Sequence, residues 1–231
     1  MGRDTAEVLG FPANGIHVKS SIPEAFAGSN VIIDFTFPGV TLQTAEFASI
    51  AGTAMVIGST GFKAQEKEKI ASYATVIPIV MSPNMSIGVN VLLKLVDMAA
   101  RLLDEGYDAE IVEAHHKMKK DAPSGTALAI AQVIAGARGV DLDKRARYER
   151  HGLIGQRPAG EIGIQTVRAG DIVGEHTVMF AGGGERIEIT HKAHSRENFA
   201  RGAIAAAQWI VGKKPGLYTM ADVLGIGDEA R

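Results

Sequence analysis

Three short apolar runs, Val31-Ile32-Ile33-Asp34-Phe35, Ala54-Met55-Val56-Ile57 and Thr75-Val76-Ile77-Pro78-Ile79-Val80, constrain what the first third of this chain can become. Their hydrophobicity is nearly continuous rather than alternating, so strands built from them are expected to be covered on both faces. Stretches with helical spacing, Val40 to Ala51 and Ala64 to Tyr73, separate them. Strand and helix in alternation give a parallel sheet with crossover helices, the plan of a nucleotide-binding α/β domain. A polar turn follows each run: Asp34 to Pro38, Gly58-Ser59-Thr60-Gly61-Phe62, and Ser82-Pro83-Asn84-Met85-Ser86. On such a sheet the turns share the carboxyl edge, where open α/β sheets bind ligands. Gly58 to Phe62 alone reads equally well as an ordinary strand-to-helix turn; three polar turns on one edge favour a site.

From Ser86 the pattern changes. Ser86 is placed to cap a long helix through about Leu103, and a strand from Asp108 to Ala114 follows Asp104-Glu105-Gly106. An Ala-rich helix from Ala127 to about Ala137 leads into a Gly- and Arg-containing loop, Gly139 to Gly160. Three strand-like runs come next: Ile162 to Arg168, Ile172 to Phe180 and Glu185 to Lys192. With turns at Ala169-Gly170-Asp171 and Ala181-Gly182-Gly183-Gly184 they read as an antiparallel meander. Ile187, Ile189 and His191 of the last run share one face, expected to be dry. The triple glycine is a hairpin turn in this reading, since a dinucleotide loop must open a helix. A helix from about Arg196 to Val211 precedes a tail containing Tyr218 and Asp222. The expected fold class is α/β. Residues 1–86 and 196–231 form an incomplete Rossmann-like nucleotide-binding domain; residues 87–195 form an α+β substrate-binding and oligomerisation domain with a mixed, largely antiparallel sheet.

The chemistry concentrates where the strand from Asp108 runs into His115-His116 and then Lys117, Lys119 and Lys120. Neighbouring strand residues point to opposite faces, so both imidazoles serve one site only if the strand ends there. Pro123 sets one backbone angle, Ser124 and Thr126 are capping residue types, and Gly125 lets a ligand approach the backbone, so the first amides of the Ala-rich helix form an anion site. A titratable imidazole with an ammonium a turn away suits general-acid work. The competing reading is one satisfied core histidine and one exposed. There is no His pair at helical spacing and no acidic triad, so no zinc site is expected. His176 and His191 read as structural or as buried in a subunit contact, and Lys117 and Lys120 as solvated. Glu175 and Glu188 have no evident basic partner, which leaves a paired-carboxylate hydrolase without support.

A chain of 231 residues has room for one large or two modest domains. Its net charge of -2, with Lys and Arg dispersed, does not advertise a nucleic-acid or membrane partner. Cysteine is absent, which excludes disulfides and thiolate chemistry and agrees with a reducing cytoplasm. The most apolar stretch, Val89 to Leu103, is interrupted by Lys94, Asp97 and Arg101, and the N-terminus lacks a signal-peptide core. The expectation is a soluble cytoplasmic protein.

The block E-A-H-H-K-M-K-K-D-A-P-S-G-T-A, the turn G-S-T-G-F, S-P-N-M-S-I-G-V-N and R-A-G-D-I-V-G-E-H-T together resemble the 4-hydroxy-tetrahydrodipicolinate reductase family, formerly dihydrodipicolinate reductase, from about Gly2 to Gly225. The resemblance implies reduction of a cyclic dicarboxylate imine to tetrahydrodipicolinate with NADH or NADPH, in lysine and diaminopimelate biosynthesis. It implies a homotetramer joined through the substrate-domain sheets. His115 is then the proton donor or acceptor and Lys119 the proton donor; His116, Ser124, Gly125 and Thr126 bind substrate. Gly58, Ser59 and Thr60, with Ser82, Pro83, Asn84 and Met85, line the cofactor.

The chain departs from the family at its start. Met1-Gly2-Arg3-Asp4 resembles the loop after the family's second strand, so a β-α-β unit of roughly 30 residues, with its Gly-rich turn, is expected to be missing. In a 3-2-1-4 strand order the gap falls between a strand at Gly15 to Lys19 and Val31 to Phe35. Val31 to Phe35 is then left with an unpaired edge, and cofactor affinity should be weak. Two other readings stay open: a truncated, non-catalytic dicarboxylate-binding or oligomerising module, and another two-domain amino-acid dehydrogenase. The A-P-S-G-T turn beside paired histidines argues against the latter.

Overall fold

Residues 1–227 are described by a computed structural model. The first elements are α1 (Thr5–Val8), α2 (Ile22–Phe26), β1 (Val31–Asp34), α3 (Pro38–Ala51), β2 (Ala54–Ile57), α4 (Ala64–Tyr73) and β3 (Pro78–Met81). There follow α5 (Ile87–Leu102), β4 (Asp108–His115), α6 (Gly125–Ala137), α7 (Leu142–Arg145), β5 (Ala146–Arg147), β6 (Ile162–Arg168), β7 (Gly174–Ala181) and β8 (Arg186–Ala193). Last are α8 (Glu197–Ile210), β9 (Gly216–Tyr218) and α9 (Met220–Leu224). The chain divides into two units, one of Met1–Pro83 with Ala203–Gly225 and one built on Asn84–Gly202.

The first unit carries a parallel sheet in the order β1-β2-β3-β9. Every residue of β2 is buried, as its continuous hydrophobicity requires. Ile32, Met55, Ile57 and Ile79 form the strand side of the core, packed on Ala45 and Ala48 of α3 and Ile70 of α4. The alanines let the α3 backbone approach the sheet closely. Coverage is incomplete at β1, contrary to the expectation of burial on both faces: this strand is outermost, pairs only with β2, and leaves Ile33 40% exposed. Its second edge has no partner among the described residues. The strand expected at Gly15 to Lys19 does not form, and His17 makes only an isolated bridge to Asp4. Residues 4–15 are instead a closed loop around the Asp4 carboxylate, which accepts from the amides of Ala6, Glu7, Asn14 and Gly15. What read as a tail contributes β9, whose Tyr218 ring meets Trp209 edge-on at 5.2 Å.

The second unit carries a mixed sheet in the order β5-β6-β4-β7-β8. The meander expectation fails at its first turn. β6 and β7 are not neighbours, because β4 lies between them, parallel to β6 and antiparallel to β7. β4 alternates buried and partly buried residues along most of its length, and the central position satisfies both of its edges. The second turn is the hairpin expected: the Gly182 N–H donates to the Glu185 carbonyl at 2.9 Å, and Gly184 has the left-handed φ of +89° that only glycine adopts freely.

Helices α5 and α6 cover the inward face of this sheet. Leu92 and Val96 from α5, and Ile130 and Ile134 from α6, pack with Ile111, Ile162, Ile164, Val178 and Phe180. Each such side chain removed from water contributes about 1.5–3 kcal/mol. The β8 face expected to be dry is only partly so: Ile189 packs on the core while Ile187 is 43% exposed. The Ser86 hydroxyl caps α5 by accepting from the Val89 N–H at 3.3 Å.

On the outward face, part of the stretch that read as loop, 139–160, folds as α7 and β5, and arginines pin the remainder. Arg150 reaches Glu110 at 2.7 and 2.8 Å, and Arg157 reaches Glu110 at 3.0 Å and Asp108 at 2.5 Å. A Cβ at Gly163 would strike the Glu110 carboxylate, so a glycine in mid-strand makes room for this clamp. Glu175 and Glu188 do have basic partners, Lys192 at 3.5 Å and Arg186 at 2.7 Å.

Candidate active site

In the second unit β4 ends at His115, so His116 lies beyond the strand and escapes its alternation. The turn after β6 braces this end. The Ala169 N–H donates to the His115 carbonyl at 2.9 Å, and the Lys117 N–H to the Gly170 carbonyl at 3.2 Å. Here the inward face of the sheet changes from apolar to polar, with Glu113 on β4, Thr166 and Arg168 on β6, and His176 on β7.

Glu113 is fully buried and is the centre of the cluster. Its Oε1 accepts from the Ser124 N–H at 2.9 Å, from Arg168 at 2.8 Å and from the Thr166 hydroxyl at 3.3 Å. Its Oε2 accepts from Arg168 at 2.8 Å and meets Nδ1 of His115 at 2.6 Å. The His115 ring stands edge-on to His176, centroids 5.2 Å apart, and Nε2 of His176 lies 3.1 Å from the Ser124 hydroxyl. His176, expected to be structural or in a subunit contact, is buried inside this chain beside the site.

Burial pushes the Glu113 carboxyl up, but Arg168, His115 and the Ser124 amide outweigh it and hold the group down at about 2. Glu113 is therefore an anion at any physiological pH. Burial lowers His115 below the ordinary imidazole range, partly offset by Glu113. Burial also drives His176 down to about 4, so that ring is neutral. Lys119 pairs with Asp121 at 2.9 Å and keeps that carboxyl below its usual range. Its own N–H donates to the His116 carbonyl at 3.1 Å. Lys117 and Lys120 are exposed.

Helix α6 begins at Gly125, two residues before the expected start. Ser124 is its N-cap, with the hydroxyl accepting from the Ala127 N–H at 3.2 Å. The Ser124 amide is spent on Glu113, which leaves those of Gly125 and Thr126 with no acceptor among the described residues. N–H groups at the positive end of a helix are able to receive an anion. Thr126 is not a cap; its hydroxyl accepts from Nδ2 of Asn84 at 3.2 Å.

In the first unit Asp34 ties its own turn to the turn after β2. Its carboxylate accepts from Ser59 at 2.6 Å, Thr41 at 2.9 Å and the Thr36 amide at 3.0 Å. The Gly58 N–H donates to the Asp34 carbonyl at 2.8 Å, and a Cβ on Gly58 would strike the Phe35 ring. Ser59 and Ser82 are buried, while Thr60 and Pro83 are exposed at the carboxyl ends of the strands. Asn84 and Met85 belong to the second unit. Asn84 accepts from the Ser86 amide at 2.8 Å, and Met85 is buried with its carbonyl against Gly202, where no Cβ fits. The exposed hydroxyl of Thr60 and the glycine-containing turn that carries it lie at the carboxyl end of β2, the edge where open α/β sheets bind ligands. Among the described residues no group of His, Asp and Glu could hold a metal ion, and no helix is long and apolar enough to cross a membrane.

Glu113, Arg168 and Asp34 were not singled out as site residues from the sequence. A signal existed for the first two: Glu113 is in phase with Ala109 and Ile111, and Arg168 with Ile162 and Ile164, both on the inward side of their strands. A charge in the buried phase of a strand is costly and points to a site.

An open parallel α/β unit with polar turns on its carboxyl edge, in a chain that also carries a buried Glu–His pair against a helix start, is the architecture of two-domain nucleotide-dependent oxidoreductases, an analogy of fold that the relatives of the chain make specific. Residues 1–85 match the family model described as dihydrodipicolinate reductase, N-terminus, and residues 88–224 the one described as dihydrodipicolinate reductase, C-terminus. The chain belongs to the dihydrodipicolinate reductase family. It is 56% identical, over 98% of its length and 85% of the relative's, to a protein of Syntrophobacter fumaroxidans named 4-hydroxy-tetrahydrodipicolinate reductase. Proteins of the same name from an Anaeromyxobacter species and from Syntrophus aciditrophicus are each 54% identical, over 97% of this chain and 84% of theirs. A solved dihydrodipicolinate reductase from a Paenisporosarcina species, with dipicolinate bound, superposes with a TM-score of 0.75 at 24% identity, covering 95% of this chain and 85% of that one, and shows the same fold. The family is one of pyridine-nucleotide-dependent reductases of lysine biosynthesis.

Proposed function

We propose that this chain reduces 4-hydroxy-tetrahydrodipicolinate to tetrahydrodipicolinate with NADH or NADPH, in the cytoplasm, as a step of lysine and diaminopimelate biosynthesis. The observation that carries the reading is the placing of His115 and the Ser124-capped start of α6 on the two oxygens of one buried carboxylate. A proton-transfer group and a carboxylate receptor are thereby fixed on a common anchor. The homotetramer is carried over from the family.

The conversion takes up one hydride and one proton and releases water. The nucleotide supplies the hydride when bound, and Gly58, Ser59, Thr60, Ser82, Pro83, Asn84 and Met85 would line it. A ring carboxylate is received by the free amides of Gly125 and Thr126, with Ser124 ordering them and His116 and Lys119 adding donors. Hydride addition at one carbon builds negative charge on the conjugated system, and His115 quenches it through Nε2. An added methyl at Gly174 would lie 3.0 Å from that nitrogen, so the absence of a side chain there keeps Nε2 accessible. Burial makes the free imidazole less basic than usual, and an arriving dianion favours its cation, so protonation accompanies substrate binding. Lys119, oriented by Asp121, is the second proton donor.

The test is steady-state oxidation of NADH and of NADPH with enzymatically generated substrate. Substrate-dependent oxidation of either nucleotide is expected. Tight dicarboxylate binding with no oxidation would instead establish the non-catalytic module.

A further inference from the structure

Glu113 has no exposure to solvent, follows the apolar Ala109 and Ile111 on the inward side of β4, and spends both oxygens on five contacts. An uncompensated carboxylate there would be strongly destabilising, and a well-packed apolar residue would serve stability as well as such a buried pair. Its contacts therefore identify its work. Arg168 binds it through both terminal nitrogens at 2.8 Å and cancels its charge. The remaining capacity goes to Nδ1 of His115 and to the amide of Ser124. An ionised carboxylate only accepts, so the short contact with His115 requires a proton on Nδ1. Nε2 is then the nitrogen that gives or takes the exchanging proton.

We propose that Glu113 is the positioning residue of the reaction: it locks His115 in the Nδ1–H form with Nε2 presented, and through the Ser124 amide it sets the carboxylate-receiving start of α6 at a fixed offset from that nitrogen. This deepens the reductase reading and rests on it for the role of His115. The charged and titratable groups facing His115 are Glu113 on its own strand, Arg168 from β6, His176 from β7, and Lys119 with its partner Asp121 from the following loop. With Glu113 made neutral, Arg168 loses its carboxylate partner while still facing the imidazole, and protonation of the ring should need a lower pH.

The experiment has two arms on the full chain. In wild-type protein labelled with 15N-histidine, and assigned by comparison with His115→Gln, the His115 resonances should report Nδ1–H with Nε2 unprotonated at neutral pH. An Nε2–H tautomer overturns the proposal whether or not the protein turns over substrate. In Glu113→Gln, verified as folded by circular dichroism, kcat should fall on the order of 100-fold with KM changed far less, and the loss of kcat/KM with rising pH should set in at lower pH than in wild type. A Glu113→Gln rate loss with the pH profile unmoved marks a structural role only and overturns the proposal. If Glu113→Gln does not fold, the tautomer of the wild-type protein decides. Absence of turnover in wild type refutes the reductase reading and leaves the tautomer result standing by itself.

Discussion

Two inward-facing residues of the second unit, Glu113 and His176, are both buried and sit opposite one another across β4 and β7, and both are held deprotonated, one as an anion and the other neutral. The carboxyl is held ionised by Arg168, and the imidazole is held neutral by burial. The consequence for His176 is a stability that depends on pH. Its value drops from an ordinary 6.5 to about 4, so between those pH values the unfolded chain binds the proton and the folded chain does not. The contribution is complete above about pH 6.5 and is lost as pH falls toward 4, with about 3 kcal/mol for the full excursion. Urea midpoints measured at pH 7 and pH 5 should differ in that direction, and His176→Asn should flatten the difference; an unchanged slope in the variant would remove His176 as its origin. His115, Lys119 and the Ser124-Gly125-Thr126 turn were legible because unlike chemistries crowd into one short block of sequence. Glu113, Arg168 and His176 lie on three strands whose pairing only the fold reveals, so their convergence on Ser124 and His115 had no local signature beyond their phase.

Helix α6 shows how a single cap serves both stability and site. The Ser124 hydroxyl accepts from the Ala127 amide and touches Nε2 of His176, so one small side chain fixes the helix start and the second imidazole. Ser124→Ala should cost about 1–2 kcal/mol in chemical denaturation, for loss of the cap and an unpaired buried ring nitrogen. It should also raise KM more than it lowers kcat, because the receiving amides lose their order; an equal loss in both would contradict that division of labour. Most helices and strands were readable from apolar periodicity, and the cap at Ser86 from residue type. The order of the second sheet was not. Sequence proximity of β6 and β7 favours a hairpin, whereas β4, which precedes α6 in the chain, lies between them, parallel to β6 and antiparallel to β7. Similarly, the stretch 139–160 reads as loop because its order comes from Arg150 and Arg157 reaching acids on β4 and beyond, not from any repeat of its own.

The family is legible chiefly in the long block from Glu113 to Ala127, which is far more specific than a glycine-containing turn or a histidine pair alone, and the other motifs agree with it. The first unit ends at an open strand. β1 pairs on one side only and leaves Ile33 and Phe35 40% and 51% exposed, a surface that invites association of further copies. Ile33→Lys should reduce concentration-dependent light scattering on mild heating while leaving turnover within about twofold; unchanged scattering would mean that this edge is not the one exposed to other molecules. The reductase chemistry itself is tested most directly by comparing wild type with His115→Ala in kcat, and in the dissociation constant for dipicolinate measured by titration calorimetry. A proton-transfer role for His115 gives a kcat lower by about 100-fold or more with dipicolinate affinity altered only a few-fold. A variant that keeps the wild-type kcat, or that loses affinity and rate in the same proportion, would contradict it.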